Sequence, residues 1–86
     1  MAYEIILGRD AEKSLDRIPR RTRIRILDAL EDLRTEPRPR GCVKLEGADD
    51  LWRIRVGSYR VIYTVQEHEL VVVVVRVAHR KEVYRP

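Results

Sequence analysis

The hydrophobic residues of this chain follow two different periods, which change near residue 42. A short apolar run at residues 3–7 predicts a first strand. From residue 11 to residue 33, apolar residues recur every three or four positions, as they do on the buried face of a helix. Beyond residue 42 they form short runs or alternate with polar residues, as they do in strands. The predicted order is therefore one strand, then helices, then several strands.

Two helices are predicted after the first strand. Asp10 is the expected N-cap of the first helix, which ends at Ile18 because the residue before a proline avoids helical geometry. The second helix is expected from Arg20 to Arg34. Because the connection is so short, the two should form an antiparallel pair on one face of a sheet. The expected buried positions are Ala11, Leu15 and Ile18 in the first helix, and Ile26 or Leu27, Leu30 and Leu33 in the second.

Four further strands are expected after a loop at residues 36–41, which holds two prolines and a glycine. Five consecutive valines at residues 71–75 are typical of a strand covered on both faces, so the last strand should be central in the sheet. The expected strands span residues 43–46, 51–56, 59–66 and 69–77. We therefore expect a single domain, residues 1–86, of the α+β class. Its small βααβββ(β) fold would pack a helical hairpin on a mainly antiparallel, twisted sheet.

A tight hairpin is predicted at Gly57 and Ser58, because a two-residue connection with glycine first is typical of a type II′ turn. Side chains alternate between the faces of a sheet, so one face of this hairpin is apolar and can pack on the helices. The opposite face carries Arg53, Arg55 and Arg60 together. The predicted register pairs Val56 with Tyr59, Arg55 with Arg60, Ile54 with Val61, Arg53 with Ile62 and Trp52 with Tyr63.

The three arginines on one face predict an anion site. Like charges directly opposite each other destabilise a strand pair, so a purely structural sheet would be expected to carry a carboxylate or a threonine opposite Arg55. Two alternatives stay open for this cluster. The arginines could extend into water, or Glu46 and Glu69 could neutralise them from neighbouring strands. The cluster alone does not identify the anion.

The composition favours a phosphate-bearing ligand. The 86 residues carry a formal charge of +4, with an isoelectric point near 9.6. Lysine occurs only at Lys13, Lys44 and Lys81, so nearly all 18 basic residues are arginine, whose planar group binds phosphate through two parallel hydrogen bonds. A genome with a biased base composition would produce the same preference. The charge is compatible with nucleic acid or with an acidic protein partner and does not decide between them.

Several other classes of function lack the features they need. Cys42 is the single cysteine, which excludes an internal disulfide and a CxxC site. Two histidines without ligand-spaced partners and four isolated glycines predict neither a metal site nor a phosphate-binding loop, so we expect no metal and no cofactor. No export signal is visible, and no apolar stretch approaches the ~18 residues needed to cross a bilayer. We therefore expect a soluble cytoplasmic protein without membrane contact.

The last residues concentrate polar chemistry beyond the last predicted strand. His79, Arg80, Lys81 and Tyr84 lie within a few positions of each other. Groups borne at the end of a rigid strand are well placed to act on a ligand. A lone histidine is more often structural than catalytic, and Tyr84 would equally serve as a packing residue, so both alternatives stay open.

These segments together resemble the RelE/ParE toxin superfamily. The similarity lies in residues 45–47 (LEG), 51–63 (LWRIRVGSYRVIY) and 79–84 (HRKEVY). The N-terminal strand and helical hairpin are similar as well, so the resemblance covers essentially the whole chain. It implies a RelE-like fold and a toxin of a type II toxin–antitoxin system. Such a toxin enters the ribosomal A site and cuts messenger RNA without a metal, by attack of the 2′-hydroxyl on the adjacent phosphate. The resemblance also implies an acidic antitoxin partner that neutralises the basic surface.

Matched position by position, the resemblance implies catalytic roles for Arg60, Arg80 and Tyr84. Arg60 would hold the scissile phosphate. Arg80 would stabilise that phosphate or the leaving group. Tyr84 would orient the 2′-hydroxyl or stack on a base.

The chain departs from the family pattern at Arg53 and Arg55, where several members carry lysine. Arginine stays protonated and is a poor proton shuttle, so we expect these two residues to bind RNA by their charge. His79 then becomes the hypothesised acid or base, because histidine has an ordinary pKa suited to proton transfer near neutral pH. A structural role for His79 is the alternative. Lys44 and Lys81 are also expected to bind RNA.

Two other functions stay in competition. ParE-type members share the fold but inhibit DNA gyrase and lack the RNA-cutting residues, so the presence of Arg60, Arg80 and Tyr84 together favours the nuclease. The third candidate is a non-catalytic RNA- or protein-binding module, in which the arginines only dock a ligand.

Overall fold

Seven helices and strands follow one another in the computed structural model, which describes residues 2–47 and 50–82. They are β1 (Glu4–Leu7), α1 (Arg9–Arg17), α2 (Arg20–Leu33), β2 (Val43–Lys44), β3 (Leu51–Val56), β4 (Tyr59–Gln66) and β5 (Val71–His79). The predicted order of elements is confirmed. β2 spans two residues and is therefore shorter than the strand expected at residues 43–46.

The five strands form one sheet in the order β1-β5-β4-β3-β2. β1 runs parallel to β5, and the other neighbouring pairs are antiparallel. One face of the sheet and the apolar faces of α1 and α2 enclose a common core. The predicted α+β class, with two helices on a mainly antiparallel sheet, is confirmed.

The passage from β1 into α1 depends on a glycine. The N–H of Gly8 donates a 2.8 Å hydrogen bond to the carbonyl of Val74 on β5. A Cβ at Gly8 would lie 2.8 Å from that same oxygen, closer than real Cβ atoms come. Gly8 therefore occupies the N-cap position, and α1 begins at Arg9. The prediction of Asp10 as the N-cap is wrong, because the close contact with β5 starts the helix earlier and leaves Asp10 in its first turn.

The helix stripes are confirmed where they meet the sheet. Ile26 is fully buried, whereas Leu27 is 44% exposed, so Ile26 is the core residue of that pair. Ile18 has extended backbone geometry and caps α1 before Pro19, as expected. α2 ends at Leu33, with Arg34 as its C-cap. The buried helix residues are Ala11, Leu15, Ile18, Ile26, Leu30 and Leu33.

The last strand differs from the prediction in its extent and its cover. Leu70 has a φ of 54° and belongs to the preceding turn, so β5 starts at Val71 and reaches His79. Val72 and Val74 are fully buried against the helices, whereas Val73 on the other face is only half-buried. The prediction that this strand is covered on both faces is wrong, because the helices cover one side of the sheet only. Its predicted interior position is confirmed, since β5 lies between β1 and β4.

Tyr63 joins the proline-containing loop, residues 36–41, to the sheet. Its side chain is fully buried, and its hydroxyl donates a 2.7 Å hydrogen bond to the carbonyl of Pro37. Burial raises the pKa of the Tyr63 hydroxyl, which therefore stays neutral and keeps its proton for this bond. The guanidinium of Arg38 lies 5.2 Å from the centroid of the Trp52 ring, a cation–π contact. The loop is thus fixed against β3 and β4.

We predict that Tyr63→Phe lowers the free energy of unfolding by about 1–2 kcal/mol, because the Pro37 carbonyl loses its buried donor. Urea denaturation measures the change. Tyr3→Phe is the control, since the Tyr3 hydroxyl makes no hydrogen bond to a described residue, and it should change the stability by less than about 0.5 kcal/mol. Equal losses in the two variants would contradict the role given to the Tyr63 hydroxyl.

Candidate functional site

The hairpin between β3 and β4 has the predicted register. Arg55 is the direct partner of Arg60 across the two strands. Gly57 has a φ of 58°, while Ser58 is not among the described residues with positive φ, as a type II′ turn requires. The two arginines therefore face each other one pair away from the turn.

A β-bulge in the pairing of β4 with β5 decides which side chains share a face. Tyr63 pairs with Val74 and Ile62 pairs with Arg76, so Val75 has no partner in the register. The extra residue shifts the alternation of β5 by one position. Even-numbered residues of β5 face the helices before the bulge and the opposite side after it.

The side of the sheet away from the helices carries a group of arginines. On β3 and β4 these are Arg53, Arg55 and Arg60, as predicted. Arg76 joins them from β5, because the bulge turns it away from the helices. The backbone N–H of Arg80 donates a 2.6 Å hydrogen bond to the carbonyl of Ser58, which continues the ladder past His79, so alternation places Arg80 on this side. We call the group the arginine face: Arg53, Arg55, Arg60, Arg76 and Arg80.

Apolar side chains beneath the arginine face explain how these cations pack together. Ile62 is 2% exposed and Ala78 is 3% exposed, although neither α1 nor α2 covers this side of the sheet. Arg53 and Arg76 flank Ile62 across three strands. Long arginine side chains can cover apolar groups with their aliphatic stems, and on this side Arg55 and Arg80 are exposed while Arg53, Arg60 and Arg76 are half-buried. An anion therefore has access to this side of the sheet, most directly at Arg55 and Arg80.

Four members of the arginine face, all except Arg76, have no carboxylate within ion-pair distance in the described part of the chain. The alternative in which Glu46 and Glu69 neutralise them is wrong, because both are exposed and neither forms an ion pair with this face. Arg76 pairs with Glu82 at 3.1 Å. The face therefore concentrates positive charge that no neighbouring strand neutralises.

Hydrogen bonds hold the turn after β5, residues 79–82, which carries Arg80; we call it the C-terminal turn. The N–H of Lys81 donates to Nδ1 of His79 at 3.2 Å. The N–H of Glu82 donates to the His79 carbonyl at 2.8 Å. In return, the Glu82 carboxylate accepts the N–H of His79 at 3.2 Å.

His79 lies on the opposite side of the sheet from Arg60. It pairs with Tyr59, and the two rings pack edge to face with centroids 5.3 Å apart and an angle of 87° between their planes. The rings border a shallow cleft against Ser14 and Arg17 of α1. The structure therefore does not bring His79 together with Arg60, and its contacts favour the structural alternative.

The remaining predicted site residues do not lie together in the structure. Lys44 pairs with Trp52 and lies on the helix side of edge strand β2, apart from the arginine face. Lys81 is exposed beside Arg80 in the C-terminal turn. Tyr84 lies outside the described residues.

Arg76 is the member of the face that sequence reasoning missed. In a run of valines, simple alternation from Val72 and Val74 places residue 76 in the core. A signal was nevertheless present, because an arginine is rarely buried without a partner and so argues for a break in the alternation.

The described residues offer no group of three His, Cys, Asp or Glu side chains that could hold a metal ion. Within the same residues, no helix is long and apolar enough to span a membrane.

The chain matches the family described as ParE toxin of type II toxin–antitoxin system, parDE, over residues 5–84. It is 29% identical over 86 residues to Toxin RelG of Mycobacterium tuberculosis, covering 99% of both chains.

Solved structures of similar chains have the same fold. The archaeal RelE–RelB complex from Pyrococcus horikoshii contains a chain that is 33% identical, with a TM-score of 0.82 over 96% of this chain and 100% of that one. The intact Escherichia coli RelBE toxin–antitoxin complex contains a chain that is 26% identical, with a TM-score of 0.82 over 94% of this chain and 100% of that one. The similarity thus covers the sheet, both helices and the arginine-bearing hairpin.

We predict that Arg55→Thr stabilises the protein by about 0.2–1 kcal/mol at low salt, because it removes the repulsion between two directly opposed cations. Urea denaturation at two salt concentrations measures the change, and the gain should shrink as salt screens the charges. Lys44→Thr serves as control, since it removes a cation from a strand position opposite Trp52. A gain at Arg55 no larger than that at Lys44 would show that the arginines do not repel each other in the folded protein.

Proposed function

This chain belongs to the family of ParE toxins of type II toxin–antitoxin systems, it is a toxin of the RelE type, and we propose that it cuts messenger RNA in the ribosomal A site. The proposed reaction is metal-independent and inhibits translation. A translating ribosome is a cytoplasmic target, so the proposal includes action in the cytoplasm.

The observation that carries the proposal is the arginine face, four of whose five members have no carboxylate within ion-pair distance in the described part of the chain. Arg55 and Arg60 are directly opposed, which costs the sheet stability unless an anion binds between them. The hydrogen bond from Arg80 to Ser58 ties the C-terminal turn to the tip of the same hairpin. A phosphate is an anion that several planar guanidinium groups can bind at once.

The proposed chemistry uses the RNA itself as the nucleophile. The 2′-oxygen gives its proton to a base and bonds to the adjacent phosphorus, while the bond from phosphorus to the 5′-oxygen breaks. The leaving oxygen takes a proton from an acid, so the products are a 2′,3′-cyclic phosphate and a 5′-hydroxyl end. Negative charge that develops on the phosphoryl oxygens is stabilised by positive groups fixed in advance around it.

We assign the roles by position on the arginine face. Arg60 lies on the middle strand of the face and binds the scissile phosphate, and Arg80 stabilises that phosphate or the leaving oxygen. Arg53 and Arg55 bind RNA by charge, with a further contribution from Lys81. Tyr84 orients the 2′-hydroxyl or stacks on a base, a role that rests on the family resemblance.

Lys44 is a weaker member of the proposed RNA contacts. It lies on the helix side of the edge strand, so it would reach only RNA that passes around that edge.

We propose that His79 supports the C-terminal turn rather than transferring a proton. Its ring packs on Tyr59, and its Nδ1 accepts the amide proton of Lys81. The ring lies on the side of the sheet away from Arg60.

We further propose an acidic antitoxin as the partner that controls the toxin. The structures from Pyrococcus horikoshii and Escherichia coli contain their toxins together with RelB or in a RelBE complex. The formal charge of +4 and the concentration of arginines on one face favour an acidic partner here.

A second candidate is inhibition of DNA gyrase, the activity of ParE-type members, which the family description favours. The arginine face and the similarity to RelE toxins favour the nuclease. Gyrase-dependent DNA supercoiling, measured beside the RNA assay, separates the two functions.

We predict that Arg60→Ala and Arg80→Ala each lower the rate of RNA cutting on programmed ribosomes by about 100-fold or more, because each removes a positive group from the reacting phosphate. Ribosome binding should persist, since the remaining arginines keep most of the charge. Cut ends are mapped on the mRNA, and toxin binding is measured by cosedimentation with ribosomes.

The control for these variants is Arg9→Ala, which removes the same charge from α1 and should cut at the wild-type rate. Uncut RNA with the wild-type protein, together with loss of supercoiling, would move the chain to the gyrase-inhibiting branch. A wild-type protein that neither cuts RNA nor inhibits gyrase would leave the non-catalytic binding module, in which Arg60→Ala weakens binding only.

We predict that His79→Asn leaves the shape of the pH–rate profile unchanged, because an amide oxygen can replace Nδ1 as acceptor for Lys81 but cannot transfer protons. The rate is measured from pH 5.5 to 9 under single-turnover conditions. Disappearance of a pH-dependent limb in this variant would restore His79 as the acid or base.

A further inference from the structure

We infer that Glu82 is a positioning residue that fixes Arg80 on the arginine face by linking Arg76 to the free edge of β5. The inference rests on the proposed nuclease function and adds a residue that neither the sequence motifs nor the arginine cluster assigns to it. The Glu82 carboxylate forms an ion pair with a member of the arginine face, although the other members of that face attract no described carboxylate.

The edge of β5 explains why an acceptor is needed there. β1 covers β5 only as far as Val74, so the outer edge of β5 beyond that residue has no neighbouring strand in the described part of the chain. The hydrogen bond from Arg80 to Ser58 directs the preceding amide, that of His79, toward this open edge. Glu82 Oε1 accepts that N–H at 3.2 Å.

The second oxygen of the same carboxylate reaches the arginine face. Oε2 of Glu82 lies 3.1 Å from a terminal nitrogen of Arg76. The Glu82 N–H also donates to the His79 carbonyl at 2.8 Å, which closes the turn. One side chain therefore joins the start of the C-terminal turn, its end and a member of the arginine face, and Arg80 lies between these fixed points.

The ion pair between Arg76 and Glu82 is exposed, which favours a role in positioning rather than in folding stability. The side chains of Arg76 and Glu82 are 37% and 51% exposed, and ion pairs this exposed contribute little to folding stability. A carboxylate beside a phosphate-binding surface also weakens the attraction of RNA. Its presence here is explained by what it holds in place, because the direction of Arg80 decides whether its charge meets the reacting phosphate.

A positioning role and a purely electrostatic role for Glu82 predict opposite effects. If Glu82 only adds negative charge, Glu82→Gln should strengthen RNA binding and speed cutting. If Glu82 positions Arg80, Glu82→Gln should lower the cutting rate at saturation by about tenfold and Glu82→Ala by more, up to about 100-fold. Affinity for RNA should stay equal or rise in both variants.

The test measures rate and affinity separately with the full chain on programmed ribosomes. Single-turnover cutting gives the rate, and mRNA with a 2′-deoxy nucleotide at the cut site gives the affinity. Hydrogen exchange of the His79 and Arg80 amides reports the turn directly and should be faster in Glu82→Ala than in the wild type. Glu69→Gln, which removes an exposed carboxylate without a described partner, is the control and should match the wild type in all three measurements.

A double variant tests the link through Arg76. Arg76→Gln combined with Glu82→Gln should lose less activity than the product of the two single losses, because the residues act as a pair. Losses that multiply would show that they act separately and would overturn the link.

Three further results would overturn the inference: a wild-type cutting rate in Glu82→Ala, a loss of affinity that accounts for the whole loss of rate, or unchanged exchange of the two amides. A wild-type protein that cuts no RNA would instead overturn the proposed function, and with it the inference, so the two failures are distinguishable.

Discussion

The unmatched residue Val75 in the pairing of β4 with β5 sets which side chains of the last strand meet on each face of the sheet. Before it, Val72 and Val74 point into the core; after it, Val77 does. The change of phase sends Arg76 to the same side as Arg60 and leaves His79 against Tyr59 on the helix side. Without the bulge, His79 rather than Arg76 would lie on the side of the sheet that carries Arg60.

One face of the sheet stabilises the fold through apolar packing, whereas the other carries opposed cations that destabilise the strand pair. On the helix side, buried residues such as Ile26, Val61 and Tyr63 form a continuous core. On the other side, Arg55 opposes Arg60 and no carboxylate of a neighbouring strand relieves the repulsion within the described residues. The packed core and the anchored proline loop keep the hairpin rigid despite that repulsion, which suits a surface prepared for an anion.

Within the described residues, the strand that carries the bulge, β5, also lacks a neighbouring strand along part of its edge. Gly8 allows the chain to leave β1 after Leu7, opposite Val74, and to enter α1, so β1 does not cover the rest of β5. The C-terminal turn then folds back on this edge and satisfies the His79 amide through Glu82. The contact of Gly8 with Val74 thus leaves the later part of the β5 edge without a described neighbouring strand, and the C-terminal turn binds there.

The sequence by itself determined the order of the elements, the helix stripes, the hairpin register and the cluster of Arg53, Arg55 and Arg60. These follow from local rules, because period, proline and a two-residue glycine turn act over a few neighbouring positions. Only the tertiary structure decided the N-cap at Gly8, the one-sided cover of β5, and the separation of His79 from Arg80 across the sheet. Each of these depends on how β5 packs against a strand or helix that is distant in sequence. A run of valines does not indicate where the register of its pairing shifts by one residue, because every position carries the same side chain.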